Sequence, residues 1–483
     1  MANTTQSTNG RLSWATLLGF GQLAVPLAFA QLPMTLFVAK FYATDLSMGV
    51  ASVGFALLAA RLADIIVDPI VGILGDRTTF RFGRRRTWVL IGAHFFALGI
   101  YLVFMPPASL SAPEATDTDK WLYFLAAIAV FYLGWTMITI PYGAWGAELT
   151  GDYAERNRVT GVREIFTLIG AAIAGVTPVL IGAPAEVCEA GKLVVQGGGQ
   201  GGLFETIRVM GIIILVMLPV TLLILYATTP EPKSLHGQHF SLWKGVQMAA
   251  TNPAFLKLFG ASFFIRMGSR GVEVLLIFYL ISVAFFSEQQ SRTAVLALLG
   301  PAVIFAPFWI WAGSAWTKHR ALAIAMALAI VAFLALPFLQ SAGYVANLIV
   351  FAIVGAAYSA PFTLGQSMAA DVVDLDTLQT GEPRAGLFFA MFQISVKLAD
   401  ALGAGIALFL VGYFGFNAER CTTNTKEAID GLALVYVAFP VILWIPALYL
   451  LWTFPITPEE QKRIRSELEK READWIKQHP GQP

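Results

Sequence analysis

Apolar residues run along this chain in stretches of about 20, the length at which a helix crosses the hydrocarbon layer of a bilayer, with short polar turns between them. Such stretches lie at 14–38, 47–73, 87–106, 121–142, 165–185 and 205–228. After a polar interval, a second set follows at 254–284, 292–315, 319–339, 345–368, 385–413 and 431–453. The pattern predicts an all-α membrane protein of twelve transmembrane helices in two six-helix bundles. The bundles are expected at 1–228 and 254–454, joined by a cytoplasmic linker at 229–253 and followed by a cytoplasmic helix and tail at 455–483. That last segment opens with Thr457, Pro458 and Glu460, the residue types of an N-cap, a first-turn proline and a capping box, and reads as a short solvated helix.

Composition supports the same class. The 483 residues are 57% hydrophobic and 13% charged, whereas soluble domains carry about 25% charged residues. A formal net charge of +1 gives no pull toward nucleic acid, and none is expected as a partner. The 2 cysteines and 5 histidines show no metal-ligand spacing, and no nucleophile–base pair or nucleotide loop stands out. Neither an enzyme nor a resident cofactor is therefore expected. The polar start MANTTQSTNG lacks a basic segment leading to a cleavage site, so the first apolar stretch reads as a retained helix.

Lysine and arginine bias sets the orientation. The loop after the second stretch holds Arg77, Arg81, Arg84, Arg85 and Arg86 against Asp76, while 107–120 holds Lys120 against Glu114, Asp117 and Asp119. The first loop is read as cytoplasmic and the second as extracytoplasmic, with both termini inside a cell inner membrane. Basic residues recur after the eighth stretch, in GSAWTKHR, which fits parallel repeats of six helices each. Cys188 and Cys421 both fall in loops read as extracytoplasmic, where a disulfide could persist, although two free thiols are the preferred reading.

The run RLADIIVDPIVG at 61–72, followed by Gly75, Asp76, Arg77 and the basic loop, resembles the second helix of the glycoside–pentoside–hexuronide:cation symporters, a branch of the major facilitator superfamily. IPY at 140–142 with AELT at 147–150 and ERNR at 155–158, ADVVD at 370–374 with TG at 380–381, and SVK at 395–397 are similar to further motifs of that family, in order across both halves. The resemblance implies alternating access and symport of a solute with sodium or a proton, the coupling ion taking the place of a cofactor. It places the cation at Asp64 and Asp68 with the hydroxyl of Thr136, and gives Lys397 the role of the family's lysine in the eleventh helix. It also implies a charge latch in which Asp76, Arg77 and Arg84 meet Glu148, Arg156 and Arg163 at the cytoplasmic gate. Three positions depart from the family: Val25–Pro26 and Thr139 stand where acids would hold sugar hydroxyls, and Gly143 stands for an aromatic residue. A simple galactoside is not expected.

Ionisable groups at mid-bilayer cost roughly 2.5–3.5 kcal/mol each on insertion scales and by default mark function. Arg61, Arg266, Arg270 and Lys397 balance Asp64, Asp68, Glu273 and Asp400, so the eight are expected to face one polar cavity. Arg61, Asp64 and Asp68 share one helical face, as do Arg266, Arg270 and Glu273, and again Gln393, Lys397 and Asp400. Two carboxylates one turn apart repel until a cation or proton joins them; alternatively Arg61 neutralises them as a packing ion pair. Arg266 and Arg270 suit an anionic solute, or else serve the internal acids. With Thr139 and Tyr142 on the fourth helix, these groups form the expected solute site. The reading is a monomeric secondary transporter, in the lipid bilayer, of a small solute: a glycoside, uronate or other organic anion. A lipid-like amphipathic solute, suggested by the apolar AVPLAFAQLPMTLF of the first helix, and a non-transporting receptor are the alternatives.

Overall fold

The computed structural model describes residues 11–78, 81–112, 114–150, 153–181, 186–189, 192–195, 202–231, 252–339, 343–380, 385–419 and 422–478. Most of the linker, the Gly-rich run after Val195, and Cys421 lie outside them, as do the side chains of Cys188, Asp76, Arg77 and Arg156.

The chain is a succession of long helices. The first span is bent, as α1 (Trp14–Gly21), α2 (Ala24–Leu36) and α3 (Val38–Thr44). Then come α4 (Val50–Arg77), α5 (Arg84–Phe104), α6 (Asp117–Glu148), α7 (Tyr153–Ile181) and α8 (Gly202–Thr228). The second set is α9 (Pro253–Ser282), α10 (Glu288–Ala315), α11 (Lys318–Leu339), α12 (Tyr344–Thr380), α13 (Ala385–Tyr413) and α14 (Lys426–Trp452), with α15 (Pro458–Gln478) last. A short antiparallel hairpin, β1 (Glu186–Glu189) and β2 (Lys192–Val195), stands between α7 and α8.

Eleven segments among the described residues are long and apolar enough to cross a membrane. Helix α9 is also long, at 30 residues, but any 18-residue stretch of it holds at least three charged side chains. Those charges include Arg266, Arg270 and Glu273, so the departure from apolarity coincides with the expected polar stripe. Several helices outrun their apolar stretches because the flanking polar turns stay helical. Helix α6 begins four residues before the apolar run at 121, where Thr116 and Asp119 form a capping box.

Two compact units are formed. The first comprises Met1–Gly237, Glu273–Thr293 and Ala404–Val435; the second comprises Gln238–Val272, Ala294–Gly403 and Tyr436–Pro483. In the first, α5 and α6 interlock through glycines: a Cβ on Gly92 would lie 2.7 Å from the Met137 backbone, one on Gly99 would strike Phe131, and one on Gly134 would strike the backbone of Phe96. Without a hydrophobic drive between helices in lipid, such close approach is what gives packing energy. At the end of α4 remote from the basic loop, a Cβ on Gly54 would lie 2.8 Å from Leu408, one on Gly405 2.9 Å from Leu58 and one on Gly412 2.9 Å from Ala51. Nearby, buried Arg292 donates to the Pro178 carbonyl at 2.6 Å, meeting the negative end of α7.

Gly134→Ala is expected to destabilise by about 2 kcal/mol, because rigid backbone occupies the methyl's place. Gly161→Ala, where nothing lies within 4 Å, is expected to stabilise by about 0.5–1 kcal/mol. Thermal unfolding in detergent should shift in opposite directions for the two; a common direction would reject this account of the crossing.

In the second unit, α15 departs from the solvated helix expected. Thr457 does cap it, accepting from the Glu460 amide at 3.3 Å, but the Glu460 carboxylate turns outward to Arg463. Its inner face docks on α12: Gln461 bonds Asp371, Arg471 donates to the Leu378 carbonyl at 2.7 Å, and Ile464 is 1% exposed. The charged outer face dominated the sequence pattern and hid this single buried stripe.

Candidate cation and solute site

In the first unit, α4 and α6 pack side by side and bring the predicted cation residues together. Asp64 and Asp68 lie one turn apart on α4, and Thr136 faces them from α6. Its hydroxyl oxygen is 2.7 Å from Asp64 Oδ1 and 2.9 Å from Asp68 Oδ1. A helical threonine ordinarily turns its hydroxyl to its own backbone; here it crosses to the neighbouring helix. Asp64 is 3% exposed and Thr136 fully buried. Arg61 lies 3.6 Å from Asp64 Oδ2, and its guanidinium stacks 4.0 Å over the Tyr132 ring. Tyr132 was not expected at the site, although it precedes Thr136 by one turn on the same face.

Hydrogen counting constrains this cluster. The Thr136 hydroxyl carries one hydrogen and faces two carboxylate oxygens. One contact is therefore an oxygen–oxygen approach unless a proton or cation joins it. Arg61 brings one positive charge to the cluster beside Asp64. Pro69, inside α4, has no amide to donate and so leaves a backbone carbonyl one turn earlier available as a further oxygen.

The second unit holds the other polar cluster. Arg266 on α9 donates through Nε to Asp400 on α13 at 2.5 Å, and its Nη1 lies 3.4 Å from the Tyr358 hydroxyl on α12. Gly403 makes this pairing possible, because a Cβ there would strike the Met267 backbone and lie 2.9 Å from Arg270 Cβ. Arg270 is 3% exposed, Lys397 is half-buried and Gln393 is exposed; Glu273, half-buried, falls in the first unit. Tyr142, expected among the solute ligands, is 4% exposed and donates to the Phe20 carbonyl at 2.7 Å, so it ties α6 to α1 instead. Thr139 is half-buried on the Thr136 face of α6.

At the basic end of the first unit, Arg84 and Arg85 both reach Glu148, at 3.0 and 2.5 Å. Arg163, expected in this latch, pairs at 2.7 Å with its neighbour Glu164. Glu231, just past α8, was not anticipated; it accepts from the amides of Arg85 and Arg86 at 2.7 and 3.2 Å. Buried Glu155 likewise accepts from the Leu12 amide, and its hydrogen bond from Arg158 holds its carboxyl below the usual carboxylate range. The second unit has a counterpart latch, with Lys318 at the start of α11 meeting Asp371 on α12 at 2.7 Å. Asp371 also anchors α15, so Asp371→Asn should loosen that helix. Limited proteolysis is expected to cut within α15 several-fold faster than in the unsubstituted protein; an unchanged rate would mean that apolar packing alone holds it.

These motifs have recognisable company. A family model for MFS/sugar transport proteins matches residues 18–458. The chain belongs to that family. Among curated relatives, the glucuronide carrier protein homolog of Escherichia coli is 23% identical, over 96% of this chain and 97% of its own length. The putative glycoside/cation symporter YagG of the same species is 22% identical, covering 96% of each. The sodium-dependent lysophosphatidylcholine symporter 1 of Gallus gallus is 25% identical over 86% of this chain and 81% of its own. Of solved structures, a bacterial homolog of the human lysosomal transporter Spinster, inward-facing and unoccupied, superposes with a TM-score of 0.65 at 14% identity, over 96% of this chain and 99% of that one. The nucleoside transporter NupG gives 0.58 at 16%, over 92% and 100%. This family member is thus a multi-pass membrane protein of the major facilitator fold, in the glycoside–pentoside–hexuronide:cation symporter branch, and handles a small solute as a secondary transporter.

Proposed function

We propose that this transporter is a symporter driven by a proton or sodium ion, and that its solute is an organic molecule bearing an anionic group, a uronate or acidic glycoside first among them. The Asp64–Thr136–Asp68 cluster carries the reading: two acids one turn apart meet one hydroxyl, and a cation arriving among these oxygens changes the local charge and geometry. Coupling follows when solute binding and cation binding favour the same conformation. The basic loop argues for an inner membrane with cytoplasmic termini, and a monomer suffices for the cycle.

On the solute side, Arg266, Arg270 and Lys397 are the candidate cationic contacts for the anionic group, with Arg266 also engaged with Asp400. The names of two relatives share one chemical element, since glucuronides carry a carboxylate and lysophosphatidylcholine a phosphate. A lysophospholipid is the second reading, favoured by those relatives. The first-helix stretch that suggested it is spent on packing, because Ala24–Ala30 is buried throughout.

Counterflow in proteoliposomes tests both. Labelled uronates, neutral glycosides and lysophospholipids would be compared under sodium and pH gradients. Exchange of a uronate with cation dependence supports the proposal; exchange of lysophospholipid alone selects the second reading, and exchange of neutral glycosides alone rejects the anionic requirement.

A further inference from the structure

Arg266 and Arg270 project from the middle of α9, so where their guanidinium groups point depends on how that helix is turned about its own axis. Side-chain tips lie about 5–6 Å from a helix axis, and a turn of about 20° therefore moves them by about 2 Å. That is enough to break a hydrogen bond. Within the second unit, contacts that fix this rotation stand on two sides of α9.

On one side is Trp444 of α14, which is 1% exposed. Its indole Nε1 donates to the Ile265 carbonyl at 3.2 Å. A Cβ on Gly268, one turn further along α9, would lie 2.7 Å from that nitrogen and 3.2 Å from Pro440 Cα. Inside α9 the Ile265 carbonyl is also the helical acceptor for the amide four residues on, and its second lone pair serves the indole. Behind the indole, Phe333 of α11 meets it edge-on, with centroids 5.2 Å apart and planes at 90°. Phe333 in turn packs against Tyr436 of α14 at 5.6 Å. The ring is thus held from behind while its N–H reaches the α9 backbone in front.

On the other side is Gly403 of α13, where a Cβ would strike the Met267 backbone and lie 2.9 Å from Arg270 Cβ. At 3.6 residues per turn, positions 265 and 268 lie roughly 160° around the helix from positions 267 and 270. The two contacts therefore oppose each other across α9. Asp400, one turn before Gly403, receives Arg266 Nε, so Trp444 backs α9 against the helix that carries its acidic partner. Apolar bulk at position 444 could fill the space, but it would let α9 slip around its axis. The indole adds a directional bond to one carbonyl, and that resists rotation.

We propose that Trp444 is a positioning residue for the solute site: by fixing the rotation of α9 between α14 and Gly403 of α13, it holds Arg266 and Arg270 on the bearing at which they meet the solute's anionic group. The inference rests on the anionic-solute reading and adds to it a residue that acts through the helix backbone, from the side remote from both arginines.

Two substitutions act on the same seat. Trp444→Phe keeps an aromatic ring and removes the N–H; Gly268→Ala raises helix propensity while displacing the indole. In proteoliposomes with labelled glucuronate, each is expected to raise the half-saturating concentration about tenfold, the strength of one hydrogen bond to a charged group, with a maximal rate close to that of the unsubstituted protein. A lower maximal rate at unchanged half-saturation overturns the positioning role. A second measurement needs no solute. The fall in melting temperature caused by Arg266→Ala is compared in the unsubstituted and Trp444→Phe backgrounds, and again with Gly268→Ala, which supplies the comparison if Trp444→Phe does not fold. Positioning makes that fall smaller by about half in the second background, whereas losses that simply add, as they do for independent sites, overturn the proposal. A halved loss with unchanged glucuronate kinetics, or with no glucuronate uptake by the unsubstituted protein, supports the positioning of Arg266 on Asp400 and places the failure in the solute reading.

Discussion

Asp68→Asn is expected to abolish cation-driven accumulation of solute while leaving solute exchange measurable. The substitution removes a charged acceptor 2.9 Å from the Thr136 hydroxyl and supplies an amide that satisfies the spare oxygen without any cation. Hydrogen bonds to charged groups contribute about 1.5–3 kcal/mol, so cation affinity should fall roughly 10- to 100-fold. Asp64→Asn should give the same loss with an added stability defect, because Asp64 is the more buried acid and holds Arg61 at 3.6 Å. Accumulation ratios and counterflow in the same proteoliposomes separate driving from binding. Accumulation that persists in both variants would move the cation site elsewhere.

The other large effect is on folding. Arg266→Ala leaves Asp400 without its 2.5 Å partner, and Asp400→Ala strands Arg266. Removing one member of a buried ion pair typically costs about 3–5 kcal/mol. The pair retains some solvent contact, which places the expectation near 3 kcal/mol. A combined Arg266→Met, Asp400→Leu variant should recover most of the loss, since no unpaired charge remains. Unfolding midpoints in detergent read all three. Equal losses in the single and double variants would mean that packing at Gly403, and not charge, dominates this crossing.

Much of this was legible in the sequence for one reason: a bilayer turns apolar length directly into helices, so most spans could be read from hydropathy alone. Helix α9 shows where that signal weakens, since its polar stripe dilutes its apolarity. The grouping of Asp64, Asp68 and Thr136 was readable because the two acids repeat at one turn and resemble a known motif. Its partners were harder to find. Tyr132 is one aromatic among many, and only the crossing of α4 with α6 gives it Arg61. Tyr142 looked like a ligand by position, yet its hydroxyl is needed where α6 meets the Phe20 carbonyl. Arg163 is paired with an adjacent acid, a local contest that long-range motif reading does not register. Glu231 and the docking of α15 depend on where a polar segment returns in space. Short polar stretches leave almost no periodic trace of that.

The charged composition of α9 also bears on how the protein is made. Each arginine or acid in its middle opposes partition into lipid by roughly 2.5–3.5 kcal/mol, and Asp400, which answers Arg266, lies 134 residues further along the chain. At about 5–20 residues per second, the ribosome needs on the order of 10 s to produce it. During that interval α9 must stay beside the insertion machinery or lean on helices already in place. The Arg266–Asp400 pair can close only once α13 emerges, so α9 reaches its final setting late, together with helices made after it.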